Sequence, residues 1–141
     1  MYKTILHATD LSDTHFDLCE QAANLAKHFD AHLYVIHVLE SPAALQLAQG
    51  LGFAEIGLPV KDDAEAVMAT LGDALNLPKE QLLVESGSVK TKVLEISAAL
   101  GCDLLIIGSH TSHDLSELMS STARSLVEQA PIDVLTLRAR R

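Results

Sequence analysis

A hydroxyl-rich segment near the carboxyl end of the chain has the composition of a phosphate-binding loop. It reads IIGSHTSHDLSELMSSTA over residues 106–123, leaves an apolar run at Gly108 and enters a helical pattern near Ser121. Free backbone amides at the start of a helix attract anions, so this segment could hold a phosphate group. A serine-rich loop that only caps its own helix is the alternative, and the residue types fit both.

Asp10 is a second candidate, because it directly follows an apolar run in ATDLSD. A carboxylate at the end of a strand could accept a hydrogen bond from a ribose or a base. Capping of the following helix by Asp10 or Ser12 is the commoner duty of these residue types. Both interpretations stay open on the sequence.

Seven histidines raise the question of a metal site. His7 and His37 fall on the first two predicted strands, where we expect them to be neighbours, and His110 and His113 lie three residues apart in the segment described above. Neither cysteine joins a recognisable ligand motif, so we predict core and loop histidines and no metal. The chain also has no Gly-x-Ser-x-Gly elbow and no Walker lysine, and we therefore expect no enzymatic activity.

Five short apolar runs alternate with helical patterns and predict the sheet that must position these residues. The predicted strands are Thr4 to Thr9, His32 to Val38, Leu82 to Ser86, Asp103 to Gly108 and Ile132 to Leu137. Most are apolar on both faces, which is typical of parallel strands covered by helices on both sides. In such a sheet a ligand site lies beyond the carboxyl ends of the strands.

The helix boundaries follow from capping residues. Ser12 is predicted to cap the first helix and Ser88 the third, and Gly101 stands where a left-handed residue ends a helix. A helix is predicted over Asp62 to Leu75, with acidic residues in its first turn, and the last over Ser121 to Gln129. The connection from Glu40 to Lys61 could be a lid, a partner surface or a partly ordered link.

Length and charge limit the classes of function. The 141 residues suit a single domain, residues 1–141. The formal net charge of −9 argues against nucleic-acid binding, and no apolar run is long enough for a bilayer. Two cysteines in apolar patterns fit a reducing compartment, so we expect a cytoplasmic protein without a targeting peptide.

Six motifs together resemble the universal stress protein family, close to its A-type members. They are ILHATDLSD, VIHV, ESGSV, DLLIIGSH, LMSSTARSL and PIDVLTL, in this order along nearly the whole chain. The resemblance implies an α/β, Rossmann-like fold with one parallel sheet in the strand order 3-2-1-4-5. It also implies a homodimer formed through the last strand, Ile132, Asp133, Val134, Leu135, Thr136 and Leu137.

The resemblance also supplies a test of the phosphate hypothesis. Members of the family that bind ATP carry Gly-x-x-Gly, nine further residues, and then Gly followed by Ser or Thr. In this chain Gly108 matches, but Thr111 and Ser121 replace the other two glycines, and Thr122 keeps the final hydroxyl. Glycine permits positive φ and close approach of a phosphate, which a β-branched threonine resists. A-type members similarly lack these glycines and are regarded as not binding ATP.

The function expected from the resemblance is a non-enzymatic cytoplasmic stress-response protein, acting as a homodimer through unknown protein partners and without a cofactor. The alternative is a regulator that binds ATP or AMP weakly. Asp10 and Val38 match positions that contact adenosine in binding members, and Gly108 and Thr122 would complete that pocket.

Overall fold

The computed structural model describes residues 1–12, 14–40, 58–108 and 121–138. The strands are β1 (Thr4–Ala8), β2 (His32–Leu39), β3 (Leu82–Ser86), β4 (Leu104–Gly108) and β5 (Asp133–Leu137). The helices are α1 (His15–Phe29), α2 (Leu58–Leu75), α3 (Val89–Ala99) and α4 (Ser121–Gln129). A 3-10 turn spans Lys79–Gln81. Each predicted strand is found, with at most one terminal residue different. Within the described residues, no helix is long and apolar enough to cross a membrane.

The strands form one parallel sheet in the order β3-β2-β1-β4-β5, which confirms the predicted α/β fold and strand order. β1 is the central strand and pairs with β2 on one side and β4 on the other. β3 and β5 are the edge strands.

Helices cover both faces of the sheet, as predicted. One buried cluster joins Ile5 and Ile106 of the sheet to residues of α1 and α2, such as Cys19 and Met68. A second cluster on the opposite face joins the sheet to α3 and α4 through residues that include Val93. Because both faces are covered, the central strands are mostly apolar on both faces, and Leu104–Ile107 of β4 are all buried.

The helix α2 begins at Leu58, four residues earlier than predicted. The predicted acidic first turn is therefore wrong, because Asp62 and Asp63 lie about one turn inside the helix. Pro59 falls in the first turn instead, where its missing amide costs no helical hydrogen bond. The earlier residues of the Glu40 to Lys61 connection, 41–57, lie outside the described residues.

Two of the three predicted helix caps are confirmed. Ser88 precedes α3, and its Oγ accepts a hydrogen bond from the amide of Thr91 at 3.4 Å. Gly101 has a φ of 66° just after α3. The prediction for Ser12 is wrong, because α1 is preceded by Thr14 with no side-chain cap. The Ser12 carbonyl, not its hydroxyl, accepts from the amide of His15 at 2.9 Å.

Both cysteines are free and buried. Cys19 belongs to the cluster beneath α1 and α2, and Cys102 to the cluster beneath α3 and α4. Burial raises the pKa of the Cys19 thiol to about 12 and that of Cys102 to about 11. Both therefore stay protonated at neutral pH, and a protonated thiol is a poor nucleophile.

We predict that Cys19→Ala and Cys102→Ala each lower the free energy of unfolding by on the order of 1 kcal/mol, because each removes one buried sulfur from a packed cluster. Urea denaturation of each variant measures this loss. Neither variant is expected to change the oligomeric state under a mild oxidant. A disulfide-linked species of the parent protein on a non-reducing gel, or rapid thiol labelling of the native protein, would contradict this account.

Candidate functional site

The carboxyl ends of β1, β2 and β4 form the rim at which the fold places a ligand site. The rim consists of Thr9–Ser12 after β1, Val38–Glu40 at the end of β2, and Gly108 at the end of β4. The pairing of the strands fixes the relative positions of these ends, because Ala8 of β1 pairs with Ile36 of β2 and with Ile107 of β4. β1 and β4 therefore end within one residue of each other, and β2 continues beyond them to Leu39.

Three of the residues predicted for a nucleotide pocket fall on this rim. Asp10 is exposed, two residues beyond β1, and Gly108 is half-buried at the last position of β4. Val38 differs from the prediction in its environment, because it is 7% exposed and its side chain packs in the cluster beneath α3 and α4. It contributes to the core under the rim.

The remaining predicted pocket residues belong to the hydroxyl-rich segment. Thr111 lies outside the described residues. Ser121 is the first residue of α4, as predicted, and Thr122 is half-buried in the first turn of that helix. The segment therefore ends in a helix start next to the rim strand β4.

The carboxylate of Asp10 is used within its own loop. Its Oδ1 accepts a hydrogen bond from the amide of Ser12 at 2.9 Å, which closes a tight turn between β1 and α1. Leu11, inside this turn, has a φ of 55°, and its amide donates to Oγ1 of Thr9 at 3.2 Å. This hydrogen bond gives Asp10 a local, turn-forming role, which differs from both interpretations left open by the sequence, capping of α1 and contact with a ligand.

Glu40 caps a helix that begins nearly fifty residues later in the chain. Its Oε1 accepts a hydrogen bond from the amide of Val89, the first residue of α3, at 3.1 Å. Together with the Ser88 cap, this contact satisfies two of the amides that a helix start leaves free. The sequence analysis did not assign Glu40, although an acidic residue directly after a strand end was a signal for it.

Gly108 lies close to Leu18 of α1. A Cβ atom at this position would lie 2.7 Å from Cδ1 of Leu18, a separation at which the leucine would have to move. Leu18 is itself buried. The glycine that matches the first position of the ATP-binding pattern therefore has a structural reason that involves no ligand.

The two strand histidines lie on the adjacent strands β1 and β2, as predicted. His7 is level with Val35 and Ile106, and its Nδ1–H donates to the carbonyl of Ile106 at 3.0 Å. His37 lies two residues farther along β2, and its Nδ1–H donates to the carbonyl of Thr9 at 2.9 Å. Each imidazole therefore binds a backbone carbonyl of a neighbouring strand or strand end.

Among the residues described, no group of three or more histidine, cysteine, aspartate or glutamate side chains could hold a metal ion. His110 and His113, the other pair considered for a metal, lie outside the described residues.

Negative charge accumulates at the ends of three strands. Asp10, Glu40 and Glu85 stand at or just beyond the carboxyl ends of β1, β2 and β3 respectively. Lys92, in the first turn of α3, reaches Glu95 at 3.9 Å on its own helix. This arrangement raises the electrostatic cost of placing several phosphate groups at the rim.

The predicted dimer residues form an open sheet edge. β5 pairs with β4 on one side, and its strand begins at Asp133, one residue after the predicted Ile132. Leu135 and Leu137 pack against one buried cluster and Val134 against the other. The side chains of the strand therefore anchor it to its own sheet, in which β5 is an edge strand among the residues that the structure describes.

A groove of about 530 Å³ lies between α2 and β3, beside the other edge of the sheet. Its wall includes apolar side chains such as Met68 and Leu82 and charged ones such as Lys61 and Glu85. None of the predicted pocket residues lines it.

Comparison with known proteins identifies the family. The family model described as the universal stress protein family matches residues 1–138. Universal stress protein A homolog 2 of Coxiella burnetii is 34% identical over 143 residues, covering 97% of this chain and 95% of its own length.

Solved structures match the whole fold. The universal stress protein UspA from Lactobacillus plantarum has a TM-score of 0.70 at 21% identity, covering 97% of this chain and 98% of its own. A universal stress protein in complex with cAMP has a TM-score of 0.68 at 17% identity, covering 99% of this chain and 98% of its own. The motif order, the strand order and the family match agree, and the chain belongs to the universal stress protein family.

Proposed function

We propose that this chain is a non-enzymatic, A-type stress-response protein that acts in the cytoplasm as a homodimer, through protein partners and without tight ATP binding. Membership of the family supports the stress-response role. The finer statements rest on the chemistry of the rim. The observation that carries them is that two acidic side chains of the rim, Asp10 and Glu40, already accept hydrogen bonds from backbone amides of the chain.

The first supporting argument is that a backbone amide at the start of α3 already has an acceptor within the chain. A phosphate at the start of α3 would have to displace the Glu40 carboxylate from the amide of Val89. An anion at a helix start stabilises it by about 0.3–1 kcal/mol, so an incoming phosphate first loses what Glu40 already contributes. The exchange leaves little net gain at this helix.

The second supporting argument is the missing glycines. Thr111 and Ser121 stand where ATP-binding members carry glycine, and a β-branched residue resists the positive φ that such loops use. Gly108, which does match, is explained by its contact with Leu18. The parts of the pattern that favour phosphate are therefore absent or serve packing.

A second candidate is a regulator that binds an adenine nucleotide weakly. A fold neighbour solved in complex with cAMP favours it. Cyclic AMP carries one phosphate, so it avoids most of the repulsion that a triphosphate meets at an acidic rim. Asp10 and the start of α4, at Ser121 and Thr122, would then contact the ligand.

The homodimer is supported by the position of β5 at the edge of the described sheet. An unpaired edge strand invites association, and pairing two copies about a twofold axis hides both edges. The mixed packing of β5, with Leu135 on one face and Val134 on the other, keeps the strand extended for such pairing.

Restoring the two glycines is predicted to restore ATP binding. Thr111→Gly permits positive φ, and Ser121→Gly clears the corner at the start of α4, at a capping cost of only a few tenths of a kcal/mol. We expect the double variant to bind Mg-ATP at least about tenfold more tightly than the parent, or about 1.4 kcal/mol. Isothermal titration calorimetry measures both affinities.

The matched control is the double alanine variant at the same positions. It removes both hydroxyls but keeps both Cβ atoms, so it is expected to bind no better than the parent. Micromolar ATP binding by the parent refutes the exclusion argument. A folded glycine variant without any gain in affinity refutes the role of these two positions.

Proline in β5 is predicted to break the dimer. Val134→Pro removes a backbone donor or strains the ladder, so we expect monomer or aggregate in place of the dimer. Size-exclusion chromatography with light scattering measures the mass. Thr136→Val, which keeps the backbone amide, is the control and should remain dimeric. A parent protein that is monomeric, or a proline variant that stays dimeric, would locate any interface elsewhere.

A further inference from the structure

His7 is a fully buried polar side chain with one unsatisfied nitrogen. It is 0% exposed, and its Nδ1–H donates to the carbonyl of Ile106. Among the described residues, Nε2 has no hydrogen-bond partner. A carbonyl can only accept, so Nδ1 carries the proton and Nε2 presents a bare lone pair to the core.

The surroundings of His7 cannot accommodate a second proton. It shares a face with Ile5, because alternate residues of a strand point the same way, and this is the face covered by α1 and α2. Its partners across the ladder, Val35 and Ile106, are fully buried and apolar. From α2, the buried cluster receives the apolar Met68 and Leu71.

Among the residues that the structure describes, three titratable groups face this part of the core. Asp10, beyond the end of β1, attracts the protonated imidazole, although less strongly than burial opposes it. Cys19 on α1 stays an uncharged thiol at neutral pH. His37 on β2 is committed to the carbonyl of Thr9 through Nδ1. β4 contributes only apolar side chains and glycine.

The two histidines hold the end of β1 from both sides. His7 joins β1 to β4, and His37 joins β2 to Thr9, whose amide also donates to the carbonyl of Ile36 at 2.9 Å. The rim loop begins at Thr9, two residues after His7. Separation of β1 from β4 at His7 would leave the loop held only by its hydrogen bonds to β2.

We propose that acid opens this rim through His7. Proton uptake at Nε2 is coupled to separation of β1 from β4 at this end of the sheet, and this separation frees the loop from Thr9 to Ser12. A proton on Nε2 needs an acceptor, which the closed core does not provide. In the open state, water can accept this hydrogen bond. The device uses only residues of this chain and does not depend on nucleotide binding.

The sign of the pH dependence follows from burial. Burial lowers the pKa of His7 from 6.5 to about 4 in the closed state. The open state therefore binds more protons between these two values, so the closed state loses stability as the pH falls from about 6.5 toward about 4. Above pH 6.5 the closed state keeps its full stability.

Amide hydrogen exchange measured by NMR at several pH values tests the proposal on the intact protein. We expect the opening equilibrium for the Thr9 and Leu11 amides, corrected for intrinsic exchange, to rise roughly 20-fold between about pH 6 and about pH 4.5. The amide of Asp103, which donates to the carbonyl of Thr4 at the other end of the same strands, is the internal control. Its protection should change much less.

Variants identify the group that takes up the proton. His7→Gln keeps an amide that can donate to the Ile106 carbonyl but does not titrate, so its rim protection should lose the 20-fold dependence. His28→Gln, at an exposed site on α1, should keep it. Asp10→Asn should also keep it, because Asp10 only modulates His7. The side-chain NMR signals of His7 in the parent give a readout that needs no variant, and they should stay those of a neutral imidazole to below pH 5.

Several results would overturn the proposal. One is a pH-independent rim in the parent, and another is an equal loss of protection at Asp103, which would mean global unfolding. A His7→Gln variant that keeps the dependence, or an Asp10→Asn variant that loses it, would assign the proton to another group. Titration of His7 near pH 6.5 in a protein whose rim stays protected would show that the core accepts the proton without opening.

Discussion

The fixed position of β1 between β2 and β4 is the constraint on which the rest of the rim depends. Its amino end is held by Asp103, whose carboxylate accepts from the amides of Lys3 at 3.0 Å and Thr4 at 3.1 Å. Burial raises the pKa of Asp103, but the backbone hydrogen bonds outweigh it and leave the pKa lowered. Its carboxyl end is held by His7 and His37. A strand tied at both ends delivers Thr9 and Asp10 to one place.

The rim that results is occupied by contacts within the chain. Asp10 closes its own turn, Glu40 caps α3, and Leu18 packs against Gly108. A nucleotide-binding member of the same fold would need the groups at these places free for ribose, for phosphate and for close approach to the backbone. The same fold can therefore serve a different function without any change in strand order, because function resides in the residues of the site.

Most of the fold could be predicted from the sequence because burial on both faces leaves a local signal. LLII in β4 is apolar without interruption, β1 is apolar at Ile5 and Leu6, and Ser88 and Gly101 mark the ends of α3 by local chemistry. α2 begins four residues before the predicted start, because proline is typical both of a loop and of the first turn of a helix. Local sequence patterns therefore predict the strands and helix ends that depend on nearby residues.

The contacts within the site could not be predicted in the same way, because they join distant parts of the chain. The contact between Glu40 and Val89 spans 49 positions, and that between His7 and Ile106 spans 99. Neither contact leaves a pattern in the sequence that would distinguish its residues from ordinary acidic or core residues. The wrong prediction for Ser12 has a different cause, since its carbonyl and its hydroxyl compete for the same local role and the sequence does not distinguish them.

The central claim is that the groups at this rim serve the chain itself and leave no tight adenine-nucleotide site. Mass spectrometry of small molecules released from freshly purified, denatured protein tests it most directly, because a tightly bound nucleotide survives purification. The account predicts that adenine nucleotides are recovered far below one per chain. Recovery of ATP, AMP or cAMP at a near-stoichiometric yield would contradict it.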